Sequence, residues 1–125
     1  MNVLGIDYGE RYIGCAISLT KSNIPFALKV IDTKSLSIID SLRSIIESYE
    51  ITNIAIGYPI GLNNNQTRMS NLVDVFINDI LNPKFGLDVI KVDERMTSSL
   101  ITKSKKDRID DISALQILET YLQNV

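Results

Sequence analysis

The chain has 125 residues, a length that suits one hydrophobic core, so we predict a single domain over residues 1–125. Hydrophobic residues make up 45% of the sequence, which favours a globular protein over a disordered chain, and no apolar run is long enough to cross a membrane. The formal net charge of −2 excludes a protein coated in basic patches, but it leaves room for a local basic segment that contacts nucleic acid.

The sequence contains no histidine and a single cysteine, Cys15, which lies in a strand-like run. The lack of histidine excludes histidine-based triads, histidine general bases and histidine-ligated zinc. Only oxygen ligands remain for a metal ion, and these favour Mg²⁺ or Mn²⁺. A lone core cysteine and an N-terminus without an export-signal pattern predict a cytoplasmic protein.

Three short apolar segments, separated by turn-forming residues, occupy the N-terminal quarter of the chain. We predict strands over Met1–Asp7, Tyr12–Leu19 and Phe26–Ile31, with a turn at Gly9 before the second strand and another near Pro25 before the third. Turns this short join antiparallel neighbours, so the chain is predicted to begin with an antiparallel meander.

Helices and strands are predicted to alternate after this meander. Apolar residues at helical spacing predict a helix over 35–49, which Ser35 or Ser37 would cap. A strand over Asn53–Tyr58 follows, and a strong amphipathic pattern then predicts a helix that includes Met69–Ile80.

The pattern of this second helix is interrupted at Pro83 and Gly86, where we predict that it ends. Leu87–Val92 alternates as a fifth strand, and Asp110–Leu122 is predicted to form the last helix, with Leu115 on its apolar face. The order βββαβαβα indicates the α/β class, with a mixed five-stranded sheet of three antiparallel and then two parallel strands between flanking helices.

Acidic residues follow two of the predicted strands. Asp7 is a lone carboxylate at the end of the first strand, where burial is costly unless the charge is paired or holds a cation; the alternative is an aspartate that supports the tight turn before Gly9. Asp93 and Glu94 follow the fifth strand, where the alternative is a solvated loop with an ion pair to Arg95.

A third acidic site, Asp110 and Asp111, opens the last helix, where carboxylates also stabilise the helix dipole. Three acidic sites thus lie at the ends of three elements, and carboxylates that converge repel one another unless a cation relieves the repulsion. We therefore predict a centre for Mg²⁺ or Mn²⁺, at which two ions about 3.5 to 4 Å apart would activate water and stabilise the leaving oxygen of a phosphodiester.

A basic segment lies just before the third acidic site and would hold the phosphates of a nucleic acid. A solvated basic loop is the alternative explanation of the same residues. The predicted nucleic-acid contacts are Arg11, Arg95, Lys103, Lys105, Lys106 and Arg108.

Four sequence blocks, in order along nearly the whole chain, resemble the YqgF (RuvX) family of the ribonuclease H-like superfamily. These are residues 5–9 with 13–16, 56–59, 92–95 with 97–98, and 110–118. Members of this family are described as Holliday junction resolvase-like and as pre-16S rRNA nucleases.

The resemblance implies a ribonuclease H-like fold and a metal-dependent endonuclease that processes the 5′ end of pre-16S rRNA during ribosome biogenesis. It implies Asp7, Glu94 and Asp110 as the catalytic, metal-binding centre, with Asp93 assisting Glu94 and Asp111 as the alternative to Asp110. The implied partners are structured RNA or branched DNA and a ribosome precursor, with no membrane, and the protein is expected to be a monomer or a weak homodimer.

Three positions differ from the usual family pattern: Tyr12 replaces a basic residue, the loop after Pro59 is asparagine-rich, and the segment from Glu94 to Asp110 is short. The short segment affects substrate contact more than metal binding. Three alternatives stay open, namely a Holliday junction resolvase-like DNA nuclease, a non-catalytic ribosome or nucleic-acid binding module, and a phosphotransferase of the actin–sugar-kinase type, which would need a second lobe.

Overall fold

The structure, a computed structural model, describes residues 1–20, 24–59, 67–93 and 109–123, with side chains from Ser113 onward in the last range. The strands are Val3–Asp7 (β1), Tyr12–Ser18 (β2), Phe26–Ala27 (β3), Ile31–Asp32 (β4), Asn53–Tyr58 (β5) and Asp88–Asp93 (β6). The helices are Ile38–Ser48 (α1), Arg68–Phe76 (α2), Asn82–Phe85 (α3) and Ile109–Gln123 (α4), and a π-helical segment, Ile77–Leu81, joins α2 to α3. Within these ranges, none of the helices is long and apolar enough to span a bilayer.

The strands form one mixed sheet in the order β3-β2-β1-β5-β6, with β4 also paired to β2. Strand β2 is antiparallel to β1, β3 and β4, whereas β1, β5 and β6 run parallel to one another. This arrangement confirms the predicted antiparallel start and parallel continuation. The three parallel strands therefore end at one edge of the sheet, which we call the carboxyl edge.

The predicted third strand, Phe26–Ile31, is interrupted. The described residues therefore form a sheet of six strands, and the predicted count of five is wrong. Strand β3 pairs Ala27 with Ala16, whereas β4 pairs Ile31 with Ile13. From Ile13 to Ala16 in β2 there are three residue steps, but from Ala27 to Ile31 there are four. The segment that contains β3 and β4 therefore carries one residue more than the part of β2 with which it pairs. An extra residue on one strand breaks the regular hydrogen-bond ladder at that point.

The first helix begins where one of the two predicted caps lies. The hydroxyl of Ser37 accepts a hydrogen bond from the backbone N–H of Asp40 at 3.2 Å, and its backbone is extended as a helix cap requires. Of the two serines proposed as caps, Ser37 is the one that acts, and α1 consequently starts three residues later than predicted.

Helical structure passes through Pro83 and ends at Gly86, so the predicted end is wrong for Pro83 and confirmed for Gly86. Helical structure continues to Phe85 and stops only at Gly86, whose positive φ of 65° is easily adopted by glycine. In a regular α-helix the proline ring collides with the carbonyl group four residues earlier. The wider π-helical turn over Ile77–Leu81 precedes Pro83 and relieves this collision.

Each face of the sheet packs against different helices. The core under α1 and α2 includes Ile6 of β1 and Ile56 of β5. The core under α4 includes Val3 of β1 and Val92 of β6. Because side chains alternate along a strand, neighbouring residues belong to different cores, and we refer to the two sides as the α1/α2 face and the α4 face.

Helix α4 lies very close to β1 at Gly5. A Cβ atom at this position would lie 3.0 Å from the Cβ of Leu118 and 3.1 Å from the carbonyl oxygen of Ala114. The buried residues of α4 include Ala114, Ile117 and Leu118, whereas Leu115 is only partly buried. The buried face of α4 is therefore shifted by about one residue from the predicted face, since Ala114 rather than Leu115 meets the sheet. The small side chain of Ala114 permits the close approach to Gly5.

We expect Gly5→Ala to lower the free energy of unfolding by about 1 to 3 kcal/mol, because the added methyl group overpacks the contact between β1 and α4. Urea denaturation followed by circular dichroism measures this change. An unfolding free energy equal to that of the wild type would contradict the close approach of α4 to β1.

Candidate functional site

Asp7 closes strand β1 at the carboxyl edge. Gly5, two residues earlier, lies against α4, so strand alternation places Asp7 on the α4 face. Asp7 pairs with Gly14 in the register between β1 and β2, and it is half-buried. A carboxylate partly withdrawn from water at the end of parallel strands is in the position where open α/β sheets bind ligands.

The turn that follows Asp7 requires a glycine and is anchored to a helix. A Cβ atom at Gly9 would lie 2.5 Å from the carbonyl oxygen of Tyr12, too close for any other residue without a backbone shift. The ring of Tyr8 packs on that of Phe76 in α2, with the centroids 4.6 Å apart and the planes 34° apart. These contacts hold the end of β1 in a defined position beside α2.

Asp93 ends strand β6 at the same edge but on the other face. It pairs with Tyr58 in the register between β5 and β6, and Val92 just before it is buried in the core under α4. Alternation therefore places Asp93 on the α1/α2 face, and β5 separates it from Asp7 by about 10 Å across the sheet. As a ligand beside Asp7, Asp93 stays a prediction that this geometry does not favour.

The other predicted ligands lie at or beyond the limits of the description. Glu94 lies outside the described residues, and the side chains of Asp110 and Asp111 do as well, although the backbone of both belongs to α4. Among the side chains that the structure describes, no three acidic or sulfur groups are clustered closely enough to hold one ion. The basic residues predicted at Arg95, Lys103, Lys105, Lys106 and Arg108 also lie outside the described ranges.

Arg11 forms an ion pair with Asp32. Its Nε and Nη2 donate to the two carboxylate oxygens of Asp32 at 2.9 and 3.2 Å, and its guanidinium carbon lies 4.9 Å from the ring centroid of Tyr12. The hydrogen bond from Arg11 holds the pKa of Asp32 below its usual value. The pair ties the β1–β2 turn to β4, and the predicted contact of Arg11 with nucleic acid stays a prediction.

A second charged pair at the carboxyl edge was not predicted from the sequence. Arg68, the first residue of α2, donates from Nη2 to Oε2 of Glu10 at 2.9 Å. Glu10 belongs to the turn that follows Asp7. Nothing in the local pattern pairs positions this far apart, since the contact depends on how α2 packs beside the turn.

Asp74 of α2 forms the centre of a third group, which sequence reasoning also missed. Its carboxylate accepts a hydrogen bond from the hydroxyl of Tyr58 and an ion pair from Nζ of Lys91, both at 2.8 Å. The Nζ of Lys91 also lies 4.5 Å from the ring centroid of Tyr58. This group joins α2 to the ends of β5 and β6 on the α1/α2 face.

The contacts with Asp74 favour the protonated forms of Lys91 and Tyr58. The hydrogen bond to Asp74 raises the pKa of Lys91, while burial and then the same carboxylate raise the pKa of Tyr58. Both raised pKa values stabilise the protonated form of the folded protein, so this contribution is present at neutral pH and is lost only as the pH rises through the folded-state values. At neutral pH, Lys91 is therefore a cation and Tyr58 a neutral hydrogen-bond donor.

The thiol of Cys15 is not available as a metal ligand at the carboxyl edge. Cys15 is fully buried next to β1, and this burial, with a smaller contribution from the charge of Asp7, raises the pKa of its thiol to about 12. A neutral buried thiol does not ligate a metal ion, since the thiolate is the binding form. The chain contains no histidine, so the donor set suits a hard cation such as Mg²⁺ or Mn²⁺.

A family profile described as RuvX, Holliday junction resolvase, matches residues 1–124. The chain belongs to the RuvX family. The family resemblance found in the four sequence blocks is thereby confirmed, and so is the predicted enzyme class, a nuclease and hence a hydrolase.

RuvX relatives match along nearly the whole chain. A protein of Sulfurihydrogenibium sp. is 33% identical over 98% of this chain and 90% of its own. One of Ruminiclostridium cellulolyticum is 33% identical over 100% and 96%, and one of Rickettsia bellii is 33% identical over 98% and 86%. Each of the three bears the name "Putative pre-16S rRNA nuclease".

Solved structures share the fold of this RuvX chain. Thermus thermophilus RuvC in complex with a Holliday junction substrate is 12% identical, with a TM-score of 0.64 over 99% of this chain and 96% of that one. The fowlpox virus Holliday junction resolvase is 14% identical, with a TM-score of 0.54 over the full length of both chains. These likenesses confirm the predicted α/β, ribonuclease H-like fold. Nucleases of this fold act on nucleic acid and generally depend on divalent metal ions.

The buried thiol leads to a pH-dependent prediction. An unfolded cysteine ionises near pH 8.5 whereas folded Cys15 holds its proton to about pH 12, so the stability that the protonated thiol contributes is complete below the first value and is lost as the pH climbs toward the second. Between pH 8 and pH 10.5, we expect the unfolding free energy of the wild type to fall by about 2 to 3 kcal/mol more than that of Cys15→Ala. Urea titrations at both pH values measure the difference, and parallel declines in the two proteins would contradict it.

Proposed function

We propose that this RuvX protein is a divalent-metal-dependent endonuclease that cleaves structured RNA, with the 5′ end of pre-16S rRNA as its substrate. The observation that carries the proposal is the position of Asp7, a half-buried carboxylate that ends the central strand of the sheet at the carboxyl edge. The names of the full-length relatives support precursor rRNA as the substrate class. We also propose a cytoplasmic location, a ribosome precursor as the partner and a monomer or weak homodimer.

Strand parity supports Glu94 as the second ligand. Val92 of β6 lies on the α4 face, and position 94 has the same parity along the sequence. Asp7 also belongs to the α4 face, so these two carboxylates are candidates for one site. Asp93 has the opposite parity, and for this reason we assign it no ligand role.

The position of Asp110 in α4 supports it as the third ligand. Asp110 lies in the first turn of the helix, and Ala114, which meets Gly5, follows about one turn of 5.4 Å later. The two residues from Gly5 to Asp7 extend about 7 Å along β1. We propose that α4 begins at the carboxyl edge. Because the two lengths are similar, this direction would bring the backbone of Asp110 level with Asp7.

In this proposal, Asp7, Glu94 and Asp110 would together hold the divalent metal ions. Divalent ions bound there would supply an activated water molecule and charge stabilisation at the leaving oxygen. The chain itself contributes a rigid platform, because β1 is hydrogen-bonded to β2 on one side and to β5 on the other. A carboxylate on a strand held on both sides stays in place while the scissile phosphate binds.

We expect Asp7→Asn to reduce cleavage of a 5′-extended 16S rRNA precursor by at least about a hundredfold, because the amide keeps the shape of the side chain but loses the charge that holds the ions. The thermal midpoint should stay close to that of the wild type. Single-turnover gel assays with Mn²⁺, with Mg²⁺ and with EDTA measure the rates, and EDTA should abolish cleavage by the wild type.

Asp93→Asn is the matched control, since it makes the same change at the same edge but on the α1/α2 face. It should retain cleavage within a few-fold of the wild type. Equal rates for Asp7→Asn and the wild type would contradict the mechanism. Faster cleavage of a four-way DNA junction than of the RNA would replace the proposed substrate, and metal-independent RNA binding without any cleavage would favour the non-catalytic module.

Metal binding has a readout that does not depend on activity. A ligand that binds only the native state raises the thermal midpoint. We expect Mn²⁺ to raise the midpoint of the wild type and of Asp93→Asn but to have little effect on Asp7→Asn, as measured by differential scanning calorimetry. Equal shifts in the three proteins would show that the ion binds elsewhere.

A further inference from the structure

The pair of Arg68 and Glu10 links two segments that end at the carboxyl edge. Glu10 lies three residues after Asp7, in the turn that leaves β1. Arg68 is the first residue of α2, and the hydroxyl of Thr67 before it donates to the carbonyl oxygen of Pro59, just past the end of β5. The start of α2, and with it Arg68, is therefore positioned beside the turn that follows Asp7.

The ion pair between Arg68 and Glu10 is weak enough to be exchanged for another partner. The side chains of Arg68 and Glu10 are 71% and 55% exposed, and ion pairs between solvated groups contribute little to stability. Within the described part of the chain, Arg68 makes one polar side-chain contact, through a single nitrogen. Arg11 differs, because it uses two nitrogens on Asp32 and also packs on Tyr12.

We propose that Arg68 is a phosphate-binding residue of the nucleic-acid interface and that the carboxylate of Glu10 occupies the place of a substrate phosphate in the free protein. The inference deepens the proposed function, since it rests on RNA as the substrate. When RNA binds, the guanidinium of Arg68 leaves Glu10 and binds a backbone phosphate beside the turn that follows Asp7.

The exchange has a clear electrostatic basis. A guanidinium can donate two parallel N–H hydrogen bonds to the oxygens of one phosphate. Among the described residues, Arg68 makes only one such bond, to the exposed Glu10, so a phosphate that accepts two is the stronger partner. Glu10 opposes binding in two ways, because it competes for Arg68 and repels the approaching polyanion. The two residues of the pair should therefore have opposite effects on RNA affinity, which a purely structural ion pair would not produce.

The experiment measures binding of a 5′-extended 16S rRNA precursor fragment by fluorescence anisotropy in EDTA, over a series of salt concentrations. Arg68→Gln should bind about three- to tenfold more weakly, and its slope of log Kd against log salt should be shallower by about one. Glu10→Gln should bind about two- to fivefold more tightly. Most of this gain should vanish in the double variant, because Glu10 acts largely through Arg68.

Arg43→Gln is the matched control for loss of one positive charge. Its guanidinium lies 5.4 Å from the ring centroid of Phe85, which precedes β6 and so lies toward the opposite edge of the sheet from Asp7. Arg43→Gln should leave both the affinity and the salt slope close to the wild-type values. Circular dichroism of each variant verifies that the fold is retained.

Several results would overturn the inference: no measurable binding of RNA by the wild type, unchanged affinity of Arg68→Gln, weaker or unchanged binding by Glu10→Gln, or an equal loss in Arg43→Gln. The fate of the proposed function is separate. Opposite effects of the Arg68 and Glu10 variants without metal-dependent cleavage of any RNA would refute the nuclease proposal alone. Cleavage that depends on Asp7, together with wild-type binding by Arg68→Gln, would refute this inference alone.

Discussion

The pairing of β1 with β2 on one side and β5 on the other is the constraint on which the rest of this structure depends. Ile6 lies between Cys15 and Ile56 in the two registers, so the central strand is hydrogen-bonded along both sides and its end is held in place. Because β5 and β6 run parallel to β1, their ends reach the same edge as Asp7. The parallel half of the sheet thus brings three strand ends to the carboxyl edge, where the candidate site lies, while the antiparallel half supports β1 from the other side.

Strand alternation then decides which carboxylates at this edge can act together. Asp7 and Asp93 are both acidic, partly buried residues at the ends of strands, yet they lie on different faces. The α4 face is packed by a helix that approaches β1 at Gly5, and the α1/α2 face carries Tyr58 and its hydrogen-bonded partner. Alternation of side chains along the strands therefore makes Asp7 a candidate ligand on the α4 face and places Asp93 on the opposite face.

Charged pairs around the edge neutralise most of the charge that the described chain places there. Glu10 and Asp74 each bind a cationic side chain from a different element, and both pairs join α2 to the sheet or to its turns. These contacts hold the elements together at the edge, and their exposure leaves them open to competition from a polyanion. The same side chains therefore serve the fold and bear on how a nucleic acid would approach.

The sequence by itself determined the element types, the mixed sheet, the acidic strand ends and the family, because periodicity and turn residues act locally and the four motif blocks are read directly from the chain. The tertiary structure decided the rest: the break in the third strand, the passage of the helix through Pro83, the rotation of α4 toward Ala114, and the pairing of Arg68 with Glu10. Each depends on a register, a close approach or a contact between distant segments. Such features follow from packing in three dimensions, which a local pattern does not encode.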